Sequence, residues 1–109
     1  MLKPPTKHEQ RINRVASFLE TLPAGMYDQK HFYDGTTGCR CMAGWINYLT
    51  CNIHSEDAVS AGNYLGISEM QRKILFAGHV DVFEPTAKQA AKVLRHLAAT
   101  GEVDWRAAR

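Results

Sequence analysis

Apolar residues recur along this chain with the three-and-four spacing of helices, and five stretches carry the pattern. In the first, Ile12, Val15, Ala16, Leu19 and Leu22 form one stripe, with Arg11, Asn13, Arg14, Ser17 and Glu20 facing outward. Thr6 and Glu9 stand three apart as a capping box, so this helix begins at Lys7, and Pro23 and Gly25 end it. In the second, Met42, Trp45, Ile46 and Leu49 share one face within the densest apolar run of the chain, which predicts a buried central helix from about Cys41 to Cys51.

Ser55-Glu56-Asp57 offers the acidic first turn of a third helix, because carboxylates are favoured at the positive end of the helix dipole. Its inner face is Ala58, Ala61, Gly62 and Leu65, small residues that imply a closely crossing neighbour, and Gly66 fits the left-handed position after its end. Ser68-Glu69 opens a fourth helix carrying Met70, Ile74 and Leu75. Pro85, Thr86 and Gln89 repeat the start signature, and Ala87, Ala90, Ala91, Leu94, Leu97 and Ala98 make a broad face that Gly101 terminates. Val103 and Trp105 follow at a distance that lets them fold back onto the core.

Two stretches sustain neither period. Met26 to Gly38 reads as one long ordered loop whose aromatic residues pack on the central helix, and Ala77 to Phe83 reads as a connector. The expected fold is all-α: a small orthogonal bundle of about five helices around a central one. The alternative is a small sheet formed by residues 26–34 and 78–83. A single domain is expected over residues 7–105, with an extended segment at 1–6 and a tail at 106–109.

Composition narrows the function classes. Apolar residues make up 45% and charged residues 22%, ordinary globular usage. The formal charge of +2 gives no dominant basic field for nucleic acid. No apolar run reaches membrane-spanning length and the first residues lack a secretory pattern, so the expected location is cytoplasmic. The 3 cysteines are then expected as reduced, structural thiols.

Three constellations carry chemistry. Cys39, Cys41, Cys51 and His54 supply the ligand count of a structural zinc site, but Cys51 falls well round the helix from Cys41, and buried thiols acting as small hydrophobes explain the same residues. Cys39 or Cys41 near a helix N-terminus, where the dipole lowers a thiol pKa, offers a nucleophile, with His31, His54 or His79 as base. Lys88, Lys92 and Arg95 make a basic stripe on the last helix that suits phosphates, though any solvated helix face looks alike. No phosphate-cradling glycine loop or paired-carboxylate signature is present, and no cofactor is expected.

The order Cys41-Met42-Ala43-Gly44-Trp45, Leu65-Gly66-Ile67, Leu75-Phe76 and Thr100-Gly101-Glu102-Val103-Asp104-Trp105 resembles small uncharacterised proteins of bacteria, phages and prophages. That resemblance implies no activity; it implies an accessory protein that binds and blocks a host protein or complex, such as a defence system. The residues alone lead to a non-enzymatic protein-binding module, with Tyr27, His31, Phe32, Tyr33 and Asp34 as the contact loop, since Tyr-rich surfaces supply contact area at low entropy cost. A helical nucleic-acid-binding domain using Lys88, Lys92 and Arg95 is the alternative.

Overall fold

The computed structural model describes residues 6–23, 25–28, 38–50, 58–77 and 85–108. Five α-helices run in order through them: α1 (Lys7–Thr21), α2 (Met42–Leu49), α3 (Ala58–Leu65), α4 (Glu69–Ala77) and α5 (Ala87–Thr100), followed by a 3-10 turn at Trp105–Ala108. The domain is all-α. Its strand content among the described residues is one isolated parallel bridge between Tyr27 and Arg40. Residues 78–83, the second half of the alternative sheet, lie outside the described residues, as do 29–37 of the long loop.

Local chemistry sets the helix ends. Thr6 accepts from the Glu9 amide (3.1 Å) while its own amide donates to the Glu9 carboxylate (3.3 Å). Thr86 and Gln89 repeat this reciprocal arrangement on α5, and Ser68 and Gln71 do so on α4. Gly66 and Gly101 take left-handed φ values of +72° and +78°, closing α3 and α5. Helix α2 is shorter than its apolar run, because the Thr50 hydroxyl donates back to the carbonyls of Ile46 and Asn47 as the backbone leaves helical geometry.

The most extensive packing joins α1 to α5. Ile12, Val15, Ala16 and Leu19 of α1 are buried in the same core as Ala90, Ala91, Val93, Leu94 and Leu97 of α5. Helix α2 is buried along Met42 to Asn47 and packs on α3. Ala61, Gly62 and Leu65 are the buried face of α3, and a Cβ on Gly62 would lie 3.1 Å from the Arg72 stem, so the small residue admits α4 closely. Trp105 returns to the core at 3% exposure and donates its indole N–H to the Ile74 carbonyl (2.9 Å). Burying a side chain of that size anchors the peripheral α4 from below.

Candidate protein interface

Helix α1 divides into three sectors about 120° apart at 100° per residue. One is the buried stripe. A second holds Asn13, Ser17 and Glu20, all of which receive the Arg95 guanidinium of α5, at 3.0, 2.9 and 2.7 Å. The third holds Lys7, Arg11, Arg14 and Phe18 within an arc of about 60°.

Around that third sector, arginines lie over aromatic rings. Phe18 packs on Trp45 with ring centroids 5.5 Å apart and on Tyr48 at 6.5 Å, while Trp45 and Tyr48 meet edge to face at 5.5 Å. Arg40 lies over both, its guanidinium carbon 5.5 Å from the Trp45 ring centre and 5.2 Å from that of Tyr48. Two turns up α1, Arg11 lies over Tyr64 at 5.0 Å and donates to its backbone carbonyl. Trp45 is only 6% exposed and donates its indole N–H to the Met26 carbonyl (3.1 Å), so it fixes the platform from beneath. Tyr48, at 47%, is the ring that reaches solvent.

The bridge between Tyr27 and Arg40 brings the ends of the long loop together. The Arg40 amide donates to the Met26 carbonyl (3.3 Å) and the Asp28 amide to the Arg40 carbonyl (3.0 Å), setting Arg40 just before α2. Of the loop residues expected to make contact, Tyr27 is described, and it is half-buried rather than a protruding anchor. Burial first, then the charges of Cys41 and Asp28, push its phenol well above the ordinary value, with the Met42 amide opposing them. His31, Phe32, Tyr33 and Asp34 lie outside the described residues.

The thiols sit at the same corner. Cys39 is buried and donates to the Gly25 carbonyl. Cys41 occupies the N-cap of α2, as the nucleophile reading requires, yet its pKa moves the opposite way from that expectation. Burial pushes the thiol up, and the opposing amides of Gly44, Ala43 and Cys41 itself do not close into a cap hydrogen bond. Desolvation therefore outweighs the helix dipole here. Cys51, His54, His31 and His79 lie outside the described residues, so the zinc set and the catalytic pairs are only half within them. Among the described residues, no group of three or more His, Cys, Asp or Glu side chains is placed to hold a metal.

On α5, Lys88 and Lys92 are exposed, but Arg95 is held by α1, which reduces the basic stripe to two unengaged cations. Among the described residues, no helix is long and apolar enough to cross a membrane. Sequence reasoning missed Arg40, Tyr48, Arg11 and Tyr64. The one available signal was that Tyr48 lies three residues after Trp45, off the apolar stripe and so placed to continue the aromatic surface outward.

No protein-family model, curated protein or solved structure matches the chain.

Proposed function

We propose that the protein is a non-enzymatic module that binds another protein through the surface centred on Tyr48 and Arg40. The observation that carries this reading is the platform itself: an almost half-exposed tyrosine held by the rings of Trp45 and Phe18, with the Arg40 guanidinium carbon 5.2 Å from its ring centre. Tyrosine, tryptophan and arginine dominate the energetics of interfaces, and a pre-ordered side chain loses little entropy when a partner arrives. The described ends of the contact loop, at Tyr27 and Arg40, meet at this corner. The raised Cys41 thiol speaks against that residue as a nucleophile. The likeness to small phage and prophage proteins would make the partner a host protein, with a defence complex as the leading class.

The test is affinity capture from a bacterial lysate, with and without nuclease, followed by a salt titration. A protein retained through nuclease treatment and lost with Tyr48→Ala supports the reading. Retention that disappears with nuclease, falls steeply with salt and weakens with Lys88→Ala and Lys92→Ala would transfer the assignment to nucleic acid. Selective labelling of Cys39 or Cys41 by a thiol-reactive substrate analogue, with no macromolecule retained, would revive catalysis instead.

A further inference from the structure

Helix α4 turns an apolar face outward. Measured from Glu69 at 100° per residue, Lys73 stands at about 40°, Met70 at about 100° and Ile74 at about 140° round the helix. The opposite side faces the domain: Leu75 is fully buried, and the Arg72 stem lies close to Gly62 of α3. Met70 is 73% exposed and Ile74 38%. Beside them Lys73 pairs with Glu69 at 3.4 Å, both side chains exposed, and Arg72 reaches the same carboxylate at 3.8 Å. A groove of about 390 Å³ runs next to Met70 and Ile74, its far wall formed by residues of the 102–106 segment. The indole bond from Trp105 to the Ile74 carbonyl holds that wall alongside α4. A protruding methionine therefore stands at the rim of a recess that the fold keeps open.

The charges on this face select its occupant. Glu69 and Lys73 are four residues apart with opposite sign, and Met70 and Ile74 are four apart one position further on. A two-fold axis crossing α4 between Gln71 and Arg72 lays a second copy of the helix antiparallel to the first. Met70 of each copy is then within one residue, about 1.5 Å of rise, of standing opposite Ile74 of the other, and Glu69 is within the same offset of the other copy's Lys73. One register thus satisfies the apolar pair and the ion pair together, each twice. A parallel pairing sets each charge level with its own duplicate. Exposed ion pairs contribute little energy, so burial of Met70 and Ile74 drives the contact while the charges fix its direction.

We propose that α4 is a self-association surface, on which two copies of this chain pack antiparallel about a two-fold axis and bury Met70 and Ile74 of each. These residues are separate from those around Tyr48 and Arg40, and the proposal stands independently of the protein-binding reading. A helix of this length gives an interface below the standard size, with a dissociation constant on the order of 100 μM.

The test is sedimentation equilibrium of the full chain from about 10 μM to about 1 mM, a range set by that constant. The average mass should climb from monomer towards dimer. Met70→Ser, at an exposed site that leaves the melting temperature unchanged, should raise the dissociation constant about tenfold. Glu69→Lys and Lys73→Glu should each associate less than the parent, because each sets like charges together twice. An equimolar mixture of those two variants should associate better than either alone, since every pair across the axis is then opposite. A parent that stays monomeric throughout the range, or a Met70→Ser variant that associates as the parent does, overturns the proposal. A mixture no more associated than its components overturns the antiparallel pairing. A monomeric parent whose capture of a lysate protein is lost with Met70→Ser overturns it in favour of a different chain on this face.

Discussion

Gly66, which closes α3, is held to glycine by two independent constraints that a mutant cycle separates. Its φ of +72° lies in the left-handed region, and a Cβ built there would meet the His8 ring of α1 at 2.5 Å from both Cγ and Cδ2. The left-handed conformation costs a residue with a Cβ about 1–2 kcal/mol. Stiffening of the unfolded chain on replacing glycine by alanine favours the native state, returning about 0.4–1 kcal/mol, so the backbone part is about 1 kcal/mol net. The contact is additional. His8 is exposed and in the first turn of α1, so its ring can rotate away, at about 1 kcal/mol for leaving its preferred rotamer. Gly66→Ala should therefore destabilise the protein by about 2 kcal/mol with His8 present and by about 1 kcal/mol with His8→Ala. Urea denaturation of the parent, the two single variants and the double variant measures both numbers. Additivity of the two substitutions to within about 0.3 kcal/mol would show that the imidazole does not rest on the turn. A Gly66→Ala variant as stable as the parent would refute the left-handed closure itself.

Trp45→Ala should cost about 3–5 kcal/mol, because it empties a buried indole site and removes one of the two hydrogen bonds, the other from the Arg40 amide, that the Met26 carbonyl accepts. A thermal midpoint within about two degrees of the parent would place the indole outside the core. Alkaline pH should also weaken the fold. Tyr27 and Cys41 both hold their protons more tightly folded than unfolded, so their contribution is intact below the ordinary values of 10.0 and 9.0 and declines as pH rises through them. Urea midpoints should fall over that window, less so in Cys41→Ser, and iodoacetamide should label Cys41 more slowly in the native protein than in the unfolded one. A flat pH profile, or native labelling at the unfolded rate, would contradict the burial of the thiol.

The helix boundaries were legible in the sequence wherever a signal is complete within four residues. The boxes at Thr6 and Glu9 and at Thr86 and Gln89, and the terminal glycines 66 and 101, needed no tertiary information. The Ser68 and Gln71 box is equally local, at the helix start that Ser68 and Glu69 mark in the sequence. The end of α2 was misread by about two residues, since the apolar run continues where the Thr50 hydroxyl already competes for the backbone. What sequence could not supply were effects that depend on distant partners. Arg95 reads as a free cation until Asn13, Ser17 and Glu20 are brought to it, and the helix dipole taken alone would lower the Cys41 thiol that burial raises. The candidate interface was the least legible part. It depends on α1 laying Phe18 beside a tryptophan and a tyrosine from another part of the chain.

The pairing of α1 with α5 also dictates when this protein can exist as a folded object. Residues 22–86 intervene between the two helices that share the largest interface, so the principal core contact closes a long loop. A nascent chain emerging from the ribosome holds the apolar stripe of α1 uncovered until α5 has cleared the exit tunnel, and a chain cut before Thr86 never covers it. Aggregation, or capture by a chaperone, competes throughout that interval. The three bonds from Arg95 to α1 can form only when both helices are in place, and they latch α5 to α1.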